Sequence, residues 1–447
     1  MIEEVNVEEM LAARDKRVAL QNKLLNSYQG TLICFTMNIP GPVKVTPLVE
    51  VAFRDGVKAL TKLLEDKKIN VLHREIINAK TGLEAFFLVE GDSKEIKCLT
   101  CQRENQDALG RLFDIDVLEQ SGRKISREEI NLPGRLCLLC QESAQACARS
   151  RKHTVEQLTK HINKVLEEHF LHKLTDAARK ALLSEVYATP KPGLVDKDNQ
   201  GAHKDMDVTT FEKSTEAIVP FLAAMGEKGY HWQGAGEALF GAIRPIGAAA
   251  EKAMFKATNN VNTHKGIIFS LGIIMAYTGW LFAREGRIAP EEILRLCGES
   301  TQDILAQDFA HIDKYHPHTH GEKLYVKYGY KGIRGVVAEG FKPLREISLP
   351  LLRELRSKGQ EENSAHIQTL LALMAQVEDT NILIRTSPDM LSYAQSQAQR
   401  LLSLGGALSP EGLEAVWKLN EDFIAKNMSP GGSADLLIAT IFLLELE

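Results

Sequence analysis

The sequence predicts a multidomain α and β chain, mixed α/β at its N-terminal end and an all-α helical bundle beyond, and three observations carry that prediction. Runs rich in β-branched and aromatic residues (TLICFTMNI from Thr31, Val71 to Ile77, Glu84 to Val89, FDIDVL from Phe113) fall only in the first 120 residues or so. From about Val165 onward, apolar residues recur at helical spacing in segment after segment, with no alternating run among them. Six of the seven cysteines precede Arg149 and only Cys297 follows it. The 447 residues exceed one ordinary core, since a domain averages ~150 residues. A boundary near Glu167 to Leu174 gives domains of 1–168 and 172–447.

In chain order, Glu8 to Tyr28 reads as a helix whose Arg14, Arg17 and Gln21 share one face; a solvated basic face is the plain alternative. The TLICFTMNI strand runs into Pro40-Gly41-Pro42-Val43-Lys44, which leaves Lys44 at a strand exit. A helix follows from Pro47 to Asp66. In GRLFDIDVL, Asp114 and Asp116 stand two apart, so the strand period puts both carboxylates on one face and Ile115 and Val117 on the other. Such a pair suits magnesium, which bridges protein carboxylates to substrate phosphates, although an exposed strand edge reads the same way. Cys98-x-x-Cys101 and Cys137-x-x-Cys140 are paired as in zinc ribbons, and Cys140, Cys147 and His153 offer a competing set with Cys137. Buried free thiols are the alternative. Arg149 to Lys164 is basic, and Val165 to Ser184 reads as an exposed helical connector.

Beyond it the period marks helices at Thr210 to Glu227, Gly234 to Thr258, Gly266 to Arg284, Pro290 to Asp308, Leu344 to Ser357, Asn363 to Val377, Pro388 to Leu404 and Pro410 to Lys426. Gly266 to Ala283 carries no charge over nearly a bilayer's width, yet its three glycines, Ser270, Tyr277 and Thr278 fit the centre of a helical bundle better than a membrane span. The acidic opening MIEEVNVEEM is no targeting signal, so a cytoplasmic location is expected, with no membrane. A net charge of -5 supplies no field for nucleic acid.

The densest cluster of polar and conformationally special residues is EVYATPKPGLVDKDNQGAHKDM, Glu185 to Met206, where Pro190 and Pro192 end a helix and Lys191, Asp196, His203, Lys204 and Asp205 follow. PKPGLVD and GAHKDM, with VNTHKG at Val261, GIRG at Gly332, DTN at Asp379 and SPGGSADLL at Ser429, resemble in order and spacing the triphosphoribosyl-dephospho-CoA synthase family over about 175–447. That family makes the precursor of the citrate lyase prosthetic group, joining the ribose carbon of ATP to a hydroxyl of dephospho-CoA and expelling adenine. The resemblance implies a base, an acid and a triphosphate clamp. Asp196, His203, Asp205 and His264 are the catalytic candidates, with Asp205 also a magnesium ligand. Lys191, Lys265, Arg334, Asp379, Asn381, Gly431, Gly432, Ser433 and Asp435 are the substrate and phosphate candidates. Ser433 is the expected N-cap of a helix over Ala434 to Leu446. Val336 stands where the family carries an acidic residue, and His316-x-His318-x-His320 reads as a surface loop.

ARDKRVALQ, FTMNIPGPVK, GRLFDIDV and RLCLLC resemble the apo-citrate lyase phosphoribosyl-dephospho-CoA transferase family over roughly the first 155 residues. This implies a nucleotidyltransferase-like domain in which a serine of the citrate lyase acyl carrier protein (the gamma subunit) attacks phosphorus and pyrophosphate leaves. Asp114 and Asp116 would hold magnesium, and Arg14, Arg17 and Lys44 would meet the pyrophosphate. Of the cysteine sets, the resemblance favours Cys137, Cys140, Cys147 and His153. The rivals are the same chemistry serving the malonate decarboxylase carrier, a non-catalytic zinc-binding adaptor, and a membrane protein built on the Gly266 helix.

Overall fold

Asn6 accepts the Glu9 amide through its side chain while the Glu9 carboxylate accepts the Asn6 amide, and this reciprocal cap starts helix α1, Val7–Ser27. The structure, a computed structural model, describes residues 3–447, and the chain divides into two units, Met1–Phe170 and Leu171–Glu447.

In the first unit α1 is followed by β1 (Thr31–Met37), α2 (Pro47–Asp66), β2 (Val71–Ala79), β3 (Gly82–Val89), α3 (Ser93–Asn105), β4 (Phe113–Leu118) and α4 (Ala144–Ser150). The strands form one antiparallel sheet in the order β2-β3-β1-β4. Strand alternation gives it two apolar faces. Ile33, Phe35, Phe87, Phe113, Ile115 and Val117 pack with Ala52, Phe53 and Val57 of α2, and Leu32, Cys34, Phe86, Leu88 and Leu118 pack with Leu24 and Leu25 of α1. Toward the other end of the α1 face the side chains turn polar: Glu84, Thr36 and Asp114 lie in register across three strands, and Asp116 faces Cys34.

Helix α5, Val155–Tyr187, corrects one expectation: it is not an exposed connector. Ile162, Val165 and Leu166 belong to the first unit's core, while Leu174 lies 3.5 Å from where a side chain on Gly226 of the second unit would begin. The second unit then runs through α6 (Val208–Tyr230), α7 (Gly236–Ala257), α8 (Lys265–Glu285), α9 (Pro290–Ala310), α10 (His320–Tyr328), α11 (Gly332–Ala338), α12 (Leu349–Ser357), α13 (Glu362–Met374), α14 (Thr380–Arg385), α15 (Pro388–Ser403), α16 (Pro410–Ala425) and α17 (Gly431–Glu445). Helix α8 is long and apolar enough to cross a membrane, but 78% of its most apolar window is buried, against α6, α7, α9 and α17. Gly279 is needed there, because a Cβ would stand 2.3 Å from the Gly226 carbonyl of α6. The short helices α10, α11 and α14 fall where loops were expected. His320 opens α10 behind a Thr319–Glu322 capping box, and the GIRG segment is itself α11.

Candidate functional sites

After α5 the chain of the second unit folds back on Asp196. Its carboxylate accepts the Thr189 hydroxyl at 2.9 Å and the amides of Lys191, Asp198 and Asn199 at 3.1, 2.9 and 2.9 Å. The loop so held buries Lys191, whose ammonium donates to the Glu185 carboxylate at 2.5 Å and to the Glu185 carbonyl at 2.7 Å. With the starts of α8 and α17 and with α14, it encloses a cavity lined by Glu185, Lys191, His203, His264, Lys265, Asn381, Arg385, Ser429, Gly431, Gly432 and Asp435. Gly266 admits Asp435, since a Cβ there would stand 2.1 Å from the Asp435 Oδ2. Asp379 lies fully enclosed and ties two helix starts together. It accepts the Ser433 amide at 2.8 Å and hydroxyl at 3.0 Å from α17, and the Asn381 amide at 3.0 Å from α14.

Charge in this cavity is tightly constrained. Burial, then the carboxylates of Glu185 and Asp379, push the Asp435 pKa well above the usual range. Burial, then Lys191, push His264 down to about 3, so it is neutral at pH 7. His203 is pushed down to about 4 by burial and then by Arg385. Its tautomer follows from its partners. A guanidinium only donates, so the His203 Nδ1, 3.3 Å from Arg385, is the acceptor, and Nε2–H donates to the Ser429 hydroxyl at 2.9 Å. The Ser429 proton is thereby released for another acceptor.

Of the residues singled out in the sequence, Lys191, His203, His264, Lys265, Asn381, Gly431, Gly432 and Asp435 line the cavity. Others do not. Both oxygens of Asp196 are used by the loop, and Asp205 points its carboxylate to solvent, 64% exposed, 4.0 Å from His203 Nδ1. Arg334 is absent from the lining, although its α11 neighbours Gly332, Ile333 and Val336 are in it. The family's acidic position is therefore a valine facing the cavity. Ser433 is not an N-cap: α17 begins at Gly431, and the Ser433 donors are taken up by Asp379, not left for a phosphate. Lys265 is ion-paired with Glu251 at 3.1 Å. Sequence reasoning missed Glu185, Arg385 and Ser429; Glu185 and Ser429 stood in the motifs, while Arg385 is tied by tertiary contact to Ala202 and Asn427.

In the first unit Asp114 and Asp116 do share the α1 face of β4. Asp114 keeps 51% of its side-chain surface, yet burial by surrounding atoms and the Asp116 charge raise its pKa. Asp116 is met by Lys124 at 2.5 Å. Arg17 is committed to Glu84, at 3.0 and 2.5 Å, which makes it a poor partner for pyrophosphate. Burial and then the Arg14 charge lower the Lys44 pKa, so two cations lie near one another there. Among the described residues one group of metal-type ligands converges: the ligand atoms of Cys137, Cys140, Cys147 and His153 all lie within 4.8 Å of one another. Cys98 and Cys101 lie on α3 and are not part of it.

Acids stand beside cations in both units, and the class of protein, a transferase, is shown by what the two units match. Residues 171–447 match the family described as ATP:dephospho-CoA triphosphoribosyl transferase, and residues 5–169 match apo-citrate lyase phosphoribosyl-dephospho-CoA transferase. The chain is 35% identical to Protein CitXG of Haemophilus influenzae, covering 99% of this chain and 97% of that one, and 33% identical to Protein CitXG of Leuconostoc mesenteroides subsp. cremoris, covering 99% and 98%. Over 60% of its length it is 41% identical to 89% of the 2-(5''-triphosphoribosyl)-3'-dephosphocoenzyme-A synthase of Escherichia fergusonii. The chain belongs to this family, in which both transferases are joined, and is a bifunctional enzyme of citrate lyase prosthetic-group biosynthesis.

Proposed function

We propose that the cavity of the second unit is where ATP and dephospho-CoA condense, and that the α1 face of the first unit is where the product is transferred. One observation carries the first assignment: Asp435 and Glu185 face the same enclosed space, and their mutual repulsion helps raise the Asp435 pKa. A divalent cation relieves such a clash, so these two residues, not Asp205, fit magnesium; bound there, it would neutralise the triphosphate. The reaction breaks the ribose C1′ bond to adenine and forms a C1′–O bond to the dephospho-CoA hydroxyl. Arg385, whose partners Ala202, Asn427 and His203 are uncharged, supplies positive charge to the phosphates, while Lys191 stays paired with Glu185. His264 is low in pKa through burial and then Lys191, and the arriving phosphates raise its basicity until it accepts the hydroxyl proton. Ser429, oriented by His203, donates toward the departing adenine.

In the first unit Asp114 and Asp116 fit magnesium in a nucleotidyltransferase-like site, supported by the raised pKa of Asp114 beside a second carboxylate. Arg14 and Lys44 meet the leaving pyrophosphate, and a serine of the citrate lyase gamma subunit attacks. Zinc fits Cys137, Cys140, Cys147 and His153 whatever that unit transfers, and the setting is cytoplasmic. The test is incubation of the chain with ATP, dephospho-CoA and magnesium. Adenine is released by the wild type and not by Asp435→Asn; equal release by both would remove the assignment.

A further inference from the structure

Residues 119–154 carry little regular structure: two single-turn or bridge pairings, a short 3-10 turn and α4. Few of their side chains join an apolar core, so something else must hold them. Cys137 to Cys140 form a tight turn in which the Cys137 amide donates to the Glu142 carbonyl at 2.6 Å and the Leu139 amide donates to the Cys137 sulfur at 3.4 Å. Helix α4, started by Ser143, brings the Cys147 sulfur to 3.4 Å from that of Cys140. His153 follows, and its buried Nε2 finds no hydrogen-bond partner. Three converging sulfurs and an orphaned imidazole nitrogen are what a tetrahedral zinc site requires, where Zn–S bonds of about 2.3 Å set sulfurs roughly 3.8 Å apart.

Three of these ligands, Cys137, Cys147 and His153, also form one wall of a cavity of about 750 Å³. The size suits a ligand of nucleotide scale, since such pockets run to about 300–1,000 Å³. Four arginines, Arg111, Arg127, Arg135 and Arg151, line it against a single acid, the buried Glu104. Glu104 is shared by Arg127 and Arg135, which leaves positive charge in excess. Two arginines depend on the cysteine segment directly. Arg111 donates to the Leu136 carbonyl at 2.6 Å, next to Cys137, and Arg151 closes α4 in the left-handed conformation two residues before His153. Arg135 comes within 4.0 Å of Asp114.

We propose that the arginines of this cavity bind a diphosphate group, and that the zinc already assigned to Cys137, Cys140, Cys147 and His153 builds the wall that presents them. The chemistry has two sources in the transfer reaction, the diphosphate of the dephospho-CoA moiety or the pyrophosphate once it has left Arg14 and Lys44, and naming them rests on the transfer reading of the first unit. The metal does not.

The full chain, purified without chelators, is expected to contain one zinc per chain. Cys147→Ser and His153→Ala lose it while releasing adenine at the wild-type rate. Cobalt exchanged into the wild type gives the intense visible bands of tetrahedral thiolate coordination, a readout independent of transfer, so failure of the transfer reading would leave this arm intact. A wild-type chain that neither carries nor takes up zinc overturns the metal, and a zinc-free variant with unchanged transfer kinetics overturns its role in building the cavity. For the anion, Arg151→Ala is assayed with ready-made triphosphoribosyl-dephospho-CoA, with pyrophosphate as inhibitor. Loss of one charge-assisted hydrogen bond is worth about tenfold. A tenfold rise in KM with kcat held assigns the cavity to the substrate diphosphate, and tenfold weaker pyrophosphate inhibition assigns it to the product. If neither moves, the diphosphate site is wrong.

Discussion

The two proposed sites meet the same electrostatic problem under opposite conditions. In the second unit the charges are enclosed and already paired: Lys191 with Glu185, Asp379 with the Ser433 donors, His203 with Arg385 and Ser429. In the first unit Asp114 is half-exposed on an open sheet face, and Asp116 is met by a lysine that itself keeps more than half its surface. The difference matches the acceptors. ATP and dephospho-CoA are small molecules whose reacting ends an enclosed site of about 200 Å³ can hold, whereas a carrier protein needs an open face to approach. Burial makes each charge in the second unit worth more, so substitutions there should cost more.

The largest effect is therefore expected at Asp435. Asp435→Asn should lower adenine release roughly a thousandfold, as loss of a buried group that faces developing charge or metal does. Asp114→Asn, on the open face, should lower transfer to the carrier by roughly a hundredfold and leave adenine release alone. A larger loss at Asp114 than at Asp435 would break the comparison.

Stability against pH sharpens it. His264 is held at about 3 against an ordinary 6.5. The folded chain then binds fewer protons than the unfolded one between these values, so the stability His264 contributes is present above pH 6.5 and is lost as pH falls toward 3. Lowering the pH from 6.5 to 4 should cost roughly 3 kcal/mol through this residue. In His264→Asn the loss over that window should shrink by about that amount; an unchanged pH slope in chemical denaturation would show that His264 is not buried neutral. The smallest effect is expected at Asp205, which points to solvent. Asp205→Asn should change stability by less than about 0.5 kcal/mol and adenine release by less than about tenfold. A steeper fall would return Asp205 to the catalytic set.

What could be read from the sequence was whatever local period or local motif encodes. The bounds of α2 were read to the residue and those of α8 to within one, because proline, capping and apolar spacing all act within a turn. The common face of Asp114 and Asp116 followed from the strand period alone. What the sequence hid was long-range: that Asp379 would take the Ser433 donors from 54 residues away, that Asp196 would be used up by its own loop, and that Arg385 would lock the His203 tautomer. The three short helices α10, α11 and α14 are too brief to show a period. Of the two cysteine sets, spacing alone left both open; only the fold gathers Cys137, Cys140, Cys147 and His153.

The central claim is that two chemically separate sites on one chain carry the two half-reactions. It is tested most directly by assaying Asp435→Asn and Asp114→Asn in parallel, each for adenine release from ATP and dephospho-CoA and for transfer of ready-made triphosphoribosyl-dephospho-CoA to the apo carrier. The account predicts a crossed result: Asp435→Asn transfers at the wild-type rate but loses adenine release roughly a thousandfold, and Asp114→Asn releases adenine at the wild-type rate but loses transfer roughly a hundredfold. Loss of both activities in either variant, with folding intact, would contradict it.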